Sequence, residues 1–371
     1  MLNTRIYAEI DLGAIRKNCE ELRRHAGGAK LLLPIKSDGY GHGAVEISRF
    51  VQERGLVDMF GVATIIEGRE LRDAGITLPI LNLGLILPDD ESIDMVIAQN
   101  ITQTVADMSL AAAISARAGM LHKAARLHLK VDTGMGRIGC PIESAADVAE
   151  DISRLPNVQL EGLFSHFPVS DDTGSDFTAR QIEAFKGIVR ECEARGVRIP
   201  LKHLANSTGL LYYPESHLDM VRPGIMAYGY YPSPECRRKI KLCPSMTLKS
   251  TVVFSKRVKA GTPLSYGLTY RAPADCTIAT VPVGYGDGYS RFLSNRGRVI
   301  IRGAEYPVVG RVCMDQLMVN LGDDEYPVGE EVVLFGNGSI TADTLAEWIG
   351  TIPYEIVCLI TKRVPRTYVN G

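Results

Sequence analysis

The stretch "KLLLPIKSDGYGHGA", residues 30–44, joins a short apolar run to a glycine-rich turn through a single lysine, Lys36. The apolar run is typical of a buried strand, and the glycines mark the turn that follows it. An ammonium group loses hydration at the rim of a buried strand, so a purely structural Lys36 would cover apolar surface with its stem and keep its charge in water. The stretch alone leaves that role and a chemical role equally open.

Short apolar runs alternate with longer amphipathic segments through the first two thirds of the chain. Segments such as 44–55, 109–119 and 177–196 have apolar residues three and four positions apart and end at glycine, which is typical of helices. Alternating strands and helices predict a (β/α)8 TIM barrel over residues 1–240, with its working residues at the carboxyl ends of the strands. The eight predicted strands are 31–36, 59–64, 79–84, 101–106, 126–132, 161–167, 201–207 and 220–225.

The pattern changes after about residue 240. Runs rich in valine and isoleucine, broken by glycine, proline or aspartate, fill residues 241–371 and predict an antiparallel β-rich domain. One late helix is predicted around residues 341–350. The predicted fold class is therefore α/β, with an N-terminal TIM barrel followed by an antiparallel β-rich C-terminal domain.

Composition excludes several functional classes. The net charge is −2, and no dense run of Lys and Arg indicates nucleic acid or an anionic membrane as a partner. The first residues lack an apolar signal segment and no stretch is long enough to span a membrane, so a cytoplasmic location is expected. Eight cysteines without a CxxC pair or Cys/His cluster predict no disulfide framework and no metal site. Cys313 and Cys358 lie in apolar runs and are predicted to be buried packing residues.

Polar side chains follow the predicted strands and should meet at one mouth of the barrel. Barrels of this kind usually hold a phosphate in the loops after strands seven and eight. Ser207 is predicted to cap a helix there, either as a cap alone or also as a donor to phosphate. Gly224 and Ile225 could offer backbone donors or form a simple tight turn. The set is Lys36, Lys130, Arg137, His166, Asn206, Ser207, Arg222 and Gly224.

A lysine facing a phosphate site across the barrel matches pyridoxal 5'-phosphate, whose aldehyde bonds a lysine amine and whose phosphate needs donors. Longer blocks make the pattern specific, and with the opening "YAEIDLGAIRKN" the sequence resembles the bacterial alanine racemases, a fold type III family, over nearly its whole length. That resemblance implies a PLP-dependent enzyme that interconverts L-alanine and D-alanine for peptidoglycan synthesis. The blocks occur at 35–44, 129–139, 165–167, 203–207, 221–229, 264–272, 281–291, 310–319 and 352–358.

The resemblance also assigns the cofactor contacts. Lys36 is the lysine that forms the Schiff base, and Arg222 faces the pyridine nitrogen. Because a guanidinium only donates hydrogen bonds, that nitrogen should stay unprotonated and the cofactor should be a weaker electron sink. The residues expected to hold the phosphate are Tyr40, Ser207, Gly224, Ile225 and Tyr354.

Racemisation needs a base on each face of the α-carbon, and the resemblance supplies Lys36 for one face and Tyr266 for the other. In the family, Tyr266 enters the site from the second subunit, which implies an obligate homodimer with shared active sites. A chain from Tyr266 through His166 to Arg222 would favour the phenolate. The alternatives are a core histidine at His166 and a surface or ion-paired arginine at Arg222.

The substrate carboxylate is expected to meet Arg137 and the backbone N–H of Met314, again by resemblance. Lys130 corresponds to a lysine that is frequently carbamylated in the family. The alternative is an unmodified Lys130 paired with a carboxylate. A narrow entrance implies alanine as the substrate, with serine as a slower one, and the residues that form it are Tyr285, Tyr354, Arg311 and Asp315.

Three other functions compete with this assignment. A serine or broad-specificity racemase of the same fold would share every catalytic residue. A fold type III decarboxylase would place an acidic residue where Arg222 stands, and a non-catalytic cofactor carrier would lack the β-rich domain and hence Tyr266. Ser37 and Gly39 depart from the commoner form of the lysine motif, so altered stiffness is expected in that loop.

Overall fold

The computed structural model describes residues 5–172, 174–336 and 338–371. Strand β1 (Ile6–Asp11) and helix α1 (Leu12–His25) precede eight parallel strands that form one sheet. Each predicted barrel strand overlaps one of these eight, so the predicted barrel is confirmed. The strands are β2 (Lys30–Pro34), β3 (Met59–Val62), β4 (Ile80–Asn82), β5 (Thr102–Val105), β6 (Ala125–Lys130), β7 (Val158–Phe164), β8 (Leu201–His203) and β9 (Met220–Val221).

Helices cover the outside of this sheet, so strands such as β3 are buried on both faces and read as continuous apolar runs. The order of the strands is β8-β7-β6-β5-β4-β3-β2-β9, and two backbone bonds of about equal length tie β8 to β9, one of them from Arg222 N to Ala205 O at 3.0 Å. The barrel is therefore nearly closed. The segment α2 (Lys36–Tyr40) is a left-handed turn at the mouth of the barrel. The helices are α3 (Ala44–Glu53), α4 (Ile65–Asp73), α5 (Asp90–Ala98), α6 (Met108–Met120), α7 (Ala145–Arg154), α8 (Phe177–Ala194), α9 (Ser207–Tyr212) and α10 (Gly224–Ala227).

The second part of the chain forms a nine-stranded sheet of order β11-β14-β17-β16-β15-β18-β10-β1-β19, together with the hairpin β12-β13. Most of its pairs are antiparallel, as predicted. Its elements are β10 (Met246–Thr251), β11 (Phe254–Val258), β12 (Pro263–Leu264), β13 (Tyr270–Arg271), β14 (Cys276–Val281), β15 (Arg298–Ile301), β16 (Ala304–Val309), β17 (Leu317–Gly322), β18 (Glu331–Phe335), α11 (Ala342–Ile349), α12 (Pro353–Cys358) and β19 (Arg366–Val369).

The first strand of the chain belongs to this second sheet by its hydrogen bonds. In β1, Ala8 lies opposite Leu248 of β10 in an antiparallel pair and opposite Arg366 of β19 in a parallel pair. The two ends of the chain thus meet in one sheet beside the barrel, and the division at residues 240 and 241 stays a prediction. Short 3-10 helices lie at Ile142–Ser144, Pro214–Ser216, Pro234–Arg238, Tyr266–Leu268, Tyr285–Asp287 and Arg291–Leu293.

Strand β19 also contacts the turn that follows β2. The guanidinium of Arg366 donates to the carbonyl oxygen of Gly41 through Nε at 3.0 Å and Nη2 at 2.9 Å, and the hydroxyl of Tyr368 donates to His42 O at 3.2 Å. These contacts anchor the glycine-rich turn to the far end of the chain. Within the described ranges, no helix is both long and apolar enough to cross a membrane.

Candidate functional site

A cavity of about 350 Å³ opens at the carboxyl ends of the barrel strands. It brings together eleven of the residues predicted from the sequence, which belong to strands and loops far apart in the chain. These eleven are Lys36, Tyr40, Lys130, Arg137, His166, Asn206, Ser207, Arg222, Gly224, Ile225 and Tyr354. The predicted barrel mouth is therefore one continuous pocket.

The turn that carries Lys36 has an unusual backbone. Ser37, Asp38, Gly39 and Tyr40 have φ angles of 53°, 53°, 61° and 52°, so four consecutive residues are left-handed. Each non-glycine residue in this conformation costs about 1–2 kcal/mol. The turn nevertheless places both Lys36 and Tyr40 in the wall of the cavity.

Local hydrogen bonds support the turn. The backbone N–H of Ser37 donates to Glu67 Oε1 at 2.7 Å, and Asp38 Oδ1 accepts from the N–H of Ala44 at 2.9 Å. Together with the Arg366 guanidinium they hold a conformation that short-range preference opposes. The left-handed conformation of Ser37 is therefore stabilised by contacts with residues distant in sequence.

The cavity is strongly electropositive. Lys36, Lys130, Arg137 and Arg222 line it, and no Asp or Glu is found among the described lining residues. Burial lowers the pKa of Lys36, and the positive charge of Arg137 lowers it further. Burial and the charge of Arg222 lower the pKa of Lys130 to about 8. Such a cavity selects an anionic ligand, and burial among cations shifts both lysine amines towards their neutral form.

His166 is held neutral beside the Arg222 guanidinium. Burial, followed by the charges of Arg222 and Arg137, lowers the pKa of His166 to about 3. Arg222 Nη2 lies 3.3 Å from His166 Nδ1. Because a guanidinium can only donate, Nδ1 accepts and the ring carries its proton on Nε2. Neither a surface nor an ion-paired role describes Arg222, which is buried and forms no salt bridge in the described part of the chain.

The segments after β8 and β9 contribute Asn206, Ser207, Gly224 and Ile225 to the wall of the cavity. The predicted cap at Ser207 is wrong, because Asn206 caps α9 and its Oδ1 accepts from Gly209 N at 2.9 Å. Ser207 is the first helical residue, so its hydroxyl is not used as the cap. Gly224 begins the short helix α10, and a Cβ at this position would lie 2.8 Å from the hydroxyl oxygen of Tyr40.

Two predicted site residues lie outside the cavity. The side chain of Tyr266 is 72% exposed and that of Met314 is 52% exposed. Gly286 N donates to Met314 O at 2.9 Å, which joins two loops of the β-rich domain at an exposed edge. The predicted entrance residues of this domain lie on or beside these loops, and they are Tyr285, Arg311 and Asp315.

The structure also corrects the expectations for two thiols, and it contradicts the alternative in which Lys130 pairs with a carboxylate. Cys313 is only partly buried, and Cys358 is exposed and lines the cavity, because it follows Tyr354 by one helical turn and shares its face. The amine of Lys130 donates to Val131 O at 2.8 Å and has no carboxylate partner in residues 5–172, 174–336 and 338–371.

Sequence reasoning missed several lining residues. Phe164 and Thr208 are examples, and both lie one or two positions from predicted site residues. Alternation along β7 places Phe164 on the same side as His166, so the strand period could have found it. Thr208 is the second residue of the short helix α9, where strand periodicity gives no such signal.

Comparisons with known proteins agree along the whole chain. The family model described as "Alanine racemase, N-terminal domain" matches residues 10–232, and "Alanine racemase, C-terminal domain" matches residues 245–368. An alanine racemase of Cutibacterium acnes is 46% identical over 369 residues, covering 98% of each chain. The solved alanine racemase of Clostridium difficile 630 superposes with a TM-score of 0.95 at 39% identity and covers 100% of this chain and 97% of its own. That of Streptomyces lavendulae has a TM-score of 0.94 at 38% identity and covers 100% and 98%.

Proposed function

The chain belongs to the alanine racemase family, and from this premise we propose how its residues interconvert L-alanine and D-alanine. The enzyme is an amino-acid racemase whose product, D-alanine, supplies peptidoglycan synthesis. The observation that carries the proposed site is the cavity itself, which joins Lys36 to three further cations and to a cluster of hydroxyl groups. Its charge suits a phosphorylated cofactor and a substrate carboxylate together.

The residues present fit pyridoxal 5'-phosphate. Lys36 would hold the cofactor covalently at one end of the cavity, and Arg222 would donate to the ring nitrogen. When bound, the cofactor withdraws electrons from the α-carbon of the amino acid and makes its proton acidic. Hydroxyl and backbone N–H groups at the other end would bind the phosphate, and they belong to Tyr40, Ser207, Gly224, Ile225 and Tyr354.

Two bases are assigned to opposite faces of the α-carbon. The Lys36 amine takes or delivers the proton on one face, and the buried position that lowers its pKa supports the neutral form that a base requires. Tyr266 Oη serves the other face. The His166 Nε2 proton, left free by the Arg222 contact at Nδ1, can donate to Tyr266 Oη and stabilise its deprotonated form.

Arg137 and Met314 are assigned to the substrate carboxylate. Arg137 lines the cavity without an acidic partner in the described residues, so its guanidinium is available for a charge-assisted bond. The backbone N–H of Met314 would complete the contact. The lowered pKa of Lys130, about 8, leaves a neutral amine that can take up carbon dioxide, and a carbamate there would orient Arg137.

The exposure of Tyr266 supports a homodimer with shared sites. In one chain, Tyr266 and Met314 lie on an exposed edge, whereas Lys36 lies in the barrel cavity. A second copy packed head to tail would bring the edge of one subunit to the cavity of the other. The site is therefore complete only in the dimer.

Mixed dimers test this assignment. Lys36→Ala and Tyr266→Phe subunits carry different affinity tags, and the hybrid is isolated after co-expression. We expect each variant homodimer to lose at least about a hundredfold in conversion of L-alanine to D-alanine, measured by chiral chromatography. The hybrid should recover about half of the wild-type rate, because one of its two sites has both bases.

Controls identify the source of any loss. Borohydride treatment should fix the cofactor to the peptide containing residue 36 in the wild type and in Tyr266→Phe, and Lys186→Ala on the outer helix α8 should be fully active. A hybrid as inactive as its parents would contradict shared sites. Faster conversion of L-serine than L-alanine would contradict the proposed substrate.

A further inference from the structure

Two fully buried histidines connect Arg222 to the outside of the barrel. Arg222 Nη1 lies 2.8 Å from His203 Nδ1, and His203 Nε2 lies 2.9 Å from His128 Nδ1. His128 Nε2 in turn lies 3.2 Å from Glu161 Oε2. The Glu161 side chain is 21% exposed, so the chain of contacts starts in the cavity and ends at water.

The direction of every hydrogen bond in this chain is fixed by the guanidinium. Arg222 has no acceptor, so His203 Nδ1 must be unprotonated and its proton must be on Nε2. That proton leaves His128 Nδ1 as the acceptor, and His128 therefore donates from Nε2 to the Glu161 carboxylate. The contacts are compatible with a single pair of neutral tautomers.

We propose that His203, His128 and Glu161 are positioning residues for Arg222, forming a one-way hydrogen-bond relay that fixes which N–H groups the guanidinium presents to the cavity. This inference rests on the proposed use of Arg222 at the cofactor ring nitrogen. None of the three residues lines the cavity.

The donor inventory of Arg222 shows what the relay achieves. One Nη1–H is taken by His203, and the two N–H groups of Nη2 are shared among Ser165 O at 2.7 Å, Leu204 O at 3.1 Å and His166 Nδ1 at 3.3 Å. The Nε–H and the second Nη1–H have no protein acceptor among the described residues. They are the groups left for a ligand in the cavity.

The relay also supplies Arg222 with a distant counter-charge. The guanidinium is buried without a carboxylate in contact, and burial lowers its pKa to about 9. Glu161 is the acid to which the relay connects it. Burial opposes ionisation of Glu161, but the hydrogen bond from His128 and the charge of Arg126 outweigh it, and the pKa of Glu161 is lowered. Burial keeps the pKa of both histidines low, so they transmit polarisation as neutral rings.

Neighbouring residues fix the orientation of the histidine rings and of the carboxylate in the relay. A Cβ at Gly162 would lie 2.4 Å from His128 Nδ1, so only glycine leaves room for that ring between β6 and β7. The His203 ring stacks on Phe164 with centroids 4.7 Å apart and planes 6° apart. At the outer end, Thr102 Oγ1 donates to Glu161 Oε2 at 3.2 Å. Each ring is thus held in one orientation.

Nitrogen NMR of holoenzyme labelled with ¹⁵N-histidine tests the tautomers directly. We expect His128 and His203, assigned by loss of signal in His128→Asn and His203→Asn, to show an unprotonated Nδ1 and a protonated Nε2 from pH 6 to pH 9. A protonated Nδ1 on either ring would overturn the relay. This reading does not depend on catalytic rate, so it separates failure of the relay from failure of the proposed function.

Glu161→Gln tests the function of the relay, because it removes the charge and preserves the shape. We expect the His128 tautomer, which Arg222 fixes, to be retained, together with a changed ¹⁵N shift at His128 Nε2, a shifted absorption maximum of the bound cofactor, and a kcat lowered about tenfold with KM changed less than about twofold, as for other outer-sphere positioning groups. Glu150→Gln is the matched control, since the Glu150 side chain is 24% exposed and also pairs with arginine. An unchanged cofactor absorption maximum and kcat in Glu161→Gln, or an equal loss in Glu150→Gln, would refute the proposal.

Discussion

The hydroxyl of Tyr40 can occupy its place only because residue 224 has no side chain. A Cβ at Gly224 would lie 2.8 Å from the Tyr40 hydroxyl oxygen, closer than carbon and oxygen normally approach. The φ angle of Gly224 is not in the left-handed region, so alanine is compatible with the backbone. The glycine is therefore needed for space at the proposed phosphate end of the cavity, and the wider range of φ angles that glycine allows is not used.

Gly224→Ala should weaken binding of pyridoxal 5'-phosphate about tenfold to a hundredfold, the equivalent of one lost hydrogen bond to a charged group. Titration of the apoenzyme by absorbance measures this. Gly187→Ala in helix α8 is the control, because the nearest atom to a Cβ there is 3.9 Å away. The control should gain stability from helix propensity and bind the cofactor normally. Equal affinities in the two variants would contradict the steric argument.

Residues differ in how well their place in the site can be predicted from the sequence. Lys36, His166 and Arg222 were found from strand ends and motifs, and the cavity contains all three. His128 was missed although it shares the inward face of β6 with Lys130, because its partner His203 comes from a strand 75 positions away. Periodicity shows that a side chain points inward, but only barrel closure shows what it meets there.

At the scale of the element, the left-handed turn after β2 depends on strand β19. The Arg366 guanidinium donates to Gly41 O and to three carbonyl oxygens of its own segment, those of Ile360, Thr361 and Val364. A guanidinium is planar and has five N–H donors, so it can bond all four of these carbonyl oxygens. The ammonium group of a lysine is a compact charge and cannot span them. The strain in residues 37–40 is thus balanced by a contact from the other end of the chain.

Arg366→Lys should speed amide hydrogen exchange across residues 37–43 and lower the free energy of unfolding by about 2 kcal/mol, since charged hydrogen bonds are lost at an unchanged net charge. Exchange followed by mass spectrometry, with denaturant unfolding, gives both quantities. Arg257→Lys is the control, because Arg257 pairs with Asp323 at the surface. If amide hydrogen exchange in residues 37–43 of Arg366→Lys matches the wild type, the turn is stable without the Arg366 contacts, which would contradict this prediction.

The accuracy of prediction also differs among helices, strands and turns, because sequence periodicity does not reveal contacts between distant segments. Strands and helices with clear apolar periods were predicted close to their observed bounds, as for α8 and β6. The left-handed turn at 37–40 could not be, because its residues prefer other conformations and its support lies 325 positions away in Arg366. The place of β1 in the second sheet was missed because alternation does not identify a pairing partner.

At the scale of the whole molecule, folding holds several histidines neutral. Burial lowers the pKa of His42 to about 4 and, with nearby cations, that of His166 to about 3. Burial also lowers the pKa of His128 and His203. Each folded pKa is below the unfolded value of about 6.5. Stability from these groups is therefore fully present above about pH 6.5 and is lost as the pH falls towards the folded pKa values.

Unfolding at pH 5.5 should accordingly bind about two protons at His42 and His166 together, with further uptake at His128 and His203, and almost none at any of the four at pH 8. Guanidinium unfolding with a pH indicator measures the uptake, and the midpoint should be lower at the acidic pH. His42→Asn, which preserves a donor for the Tyr40 carbonyl, should remove about one proton from the total. Uptake of less than one proton at pH 5.5 would contradict neutral burial.

The anchoring of the lysine turn by strand β19 has a consequence for synthesis on the ribosome. Lys36 leaves the ribosome early and Arg366 leaves it long afterwards. In the growing chain, the amine of Lys36 is therefore present before the contact from Arg366 can stabilise the left-handed turn. Vitamin B6 loading in the native geometry must then follow translation of β19, and truncated products ending before this strand will carry the amine without its proper orientation.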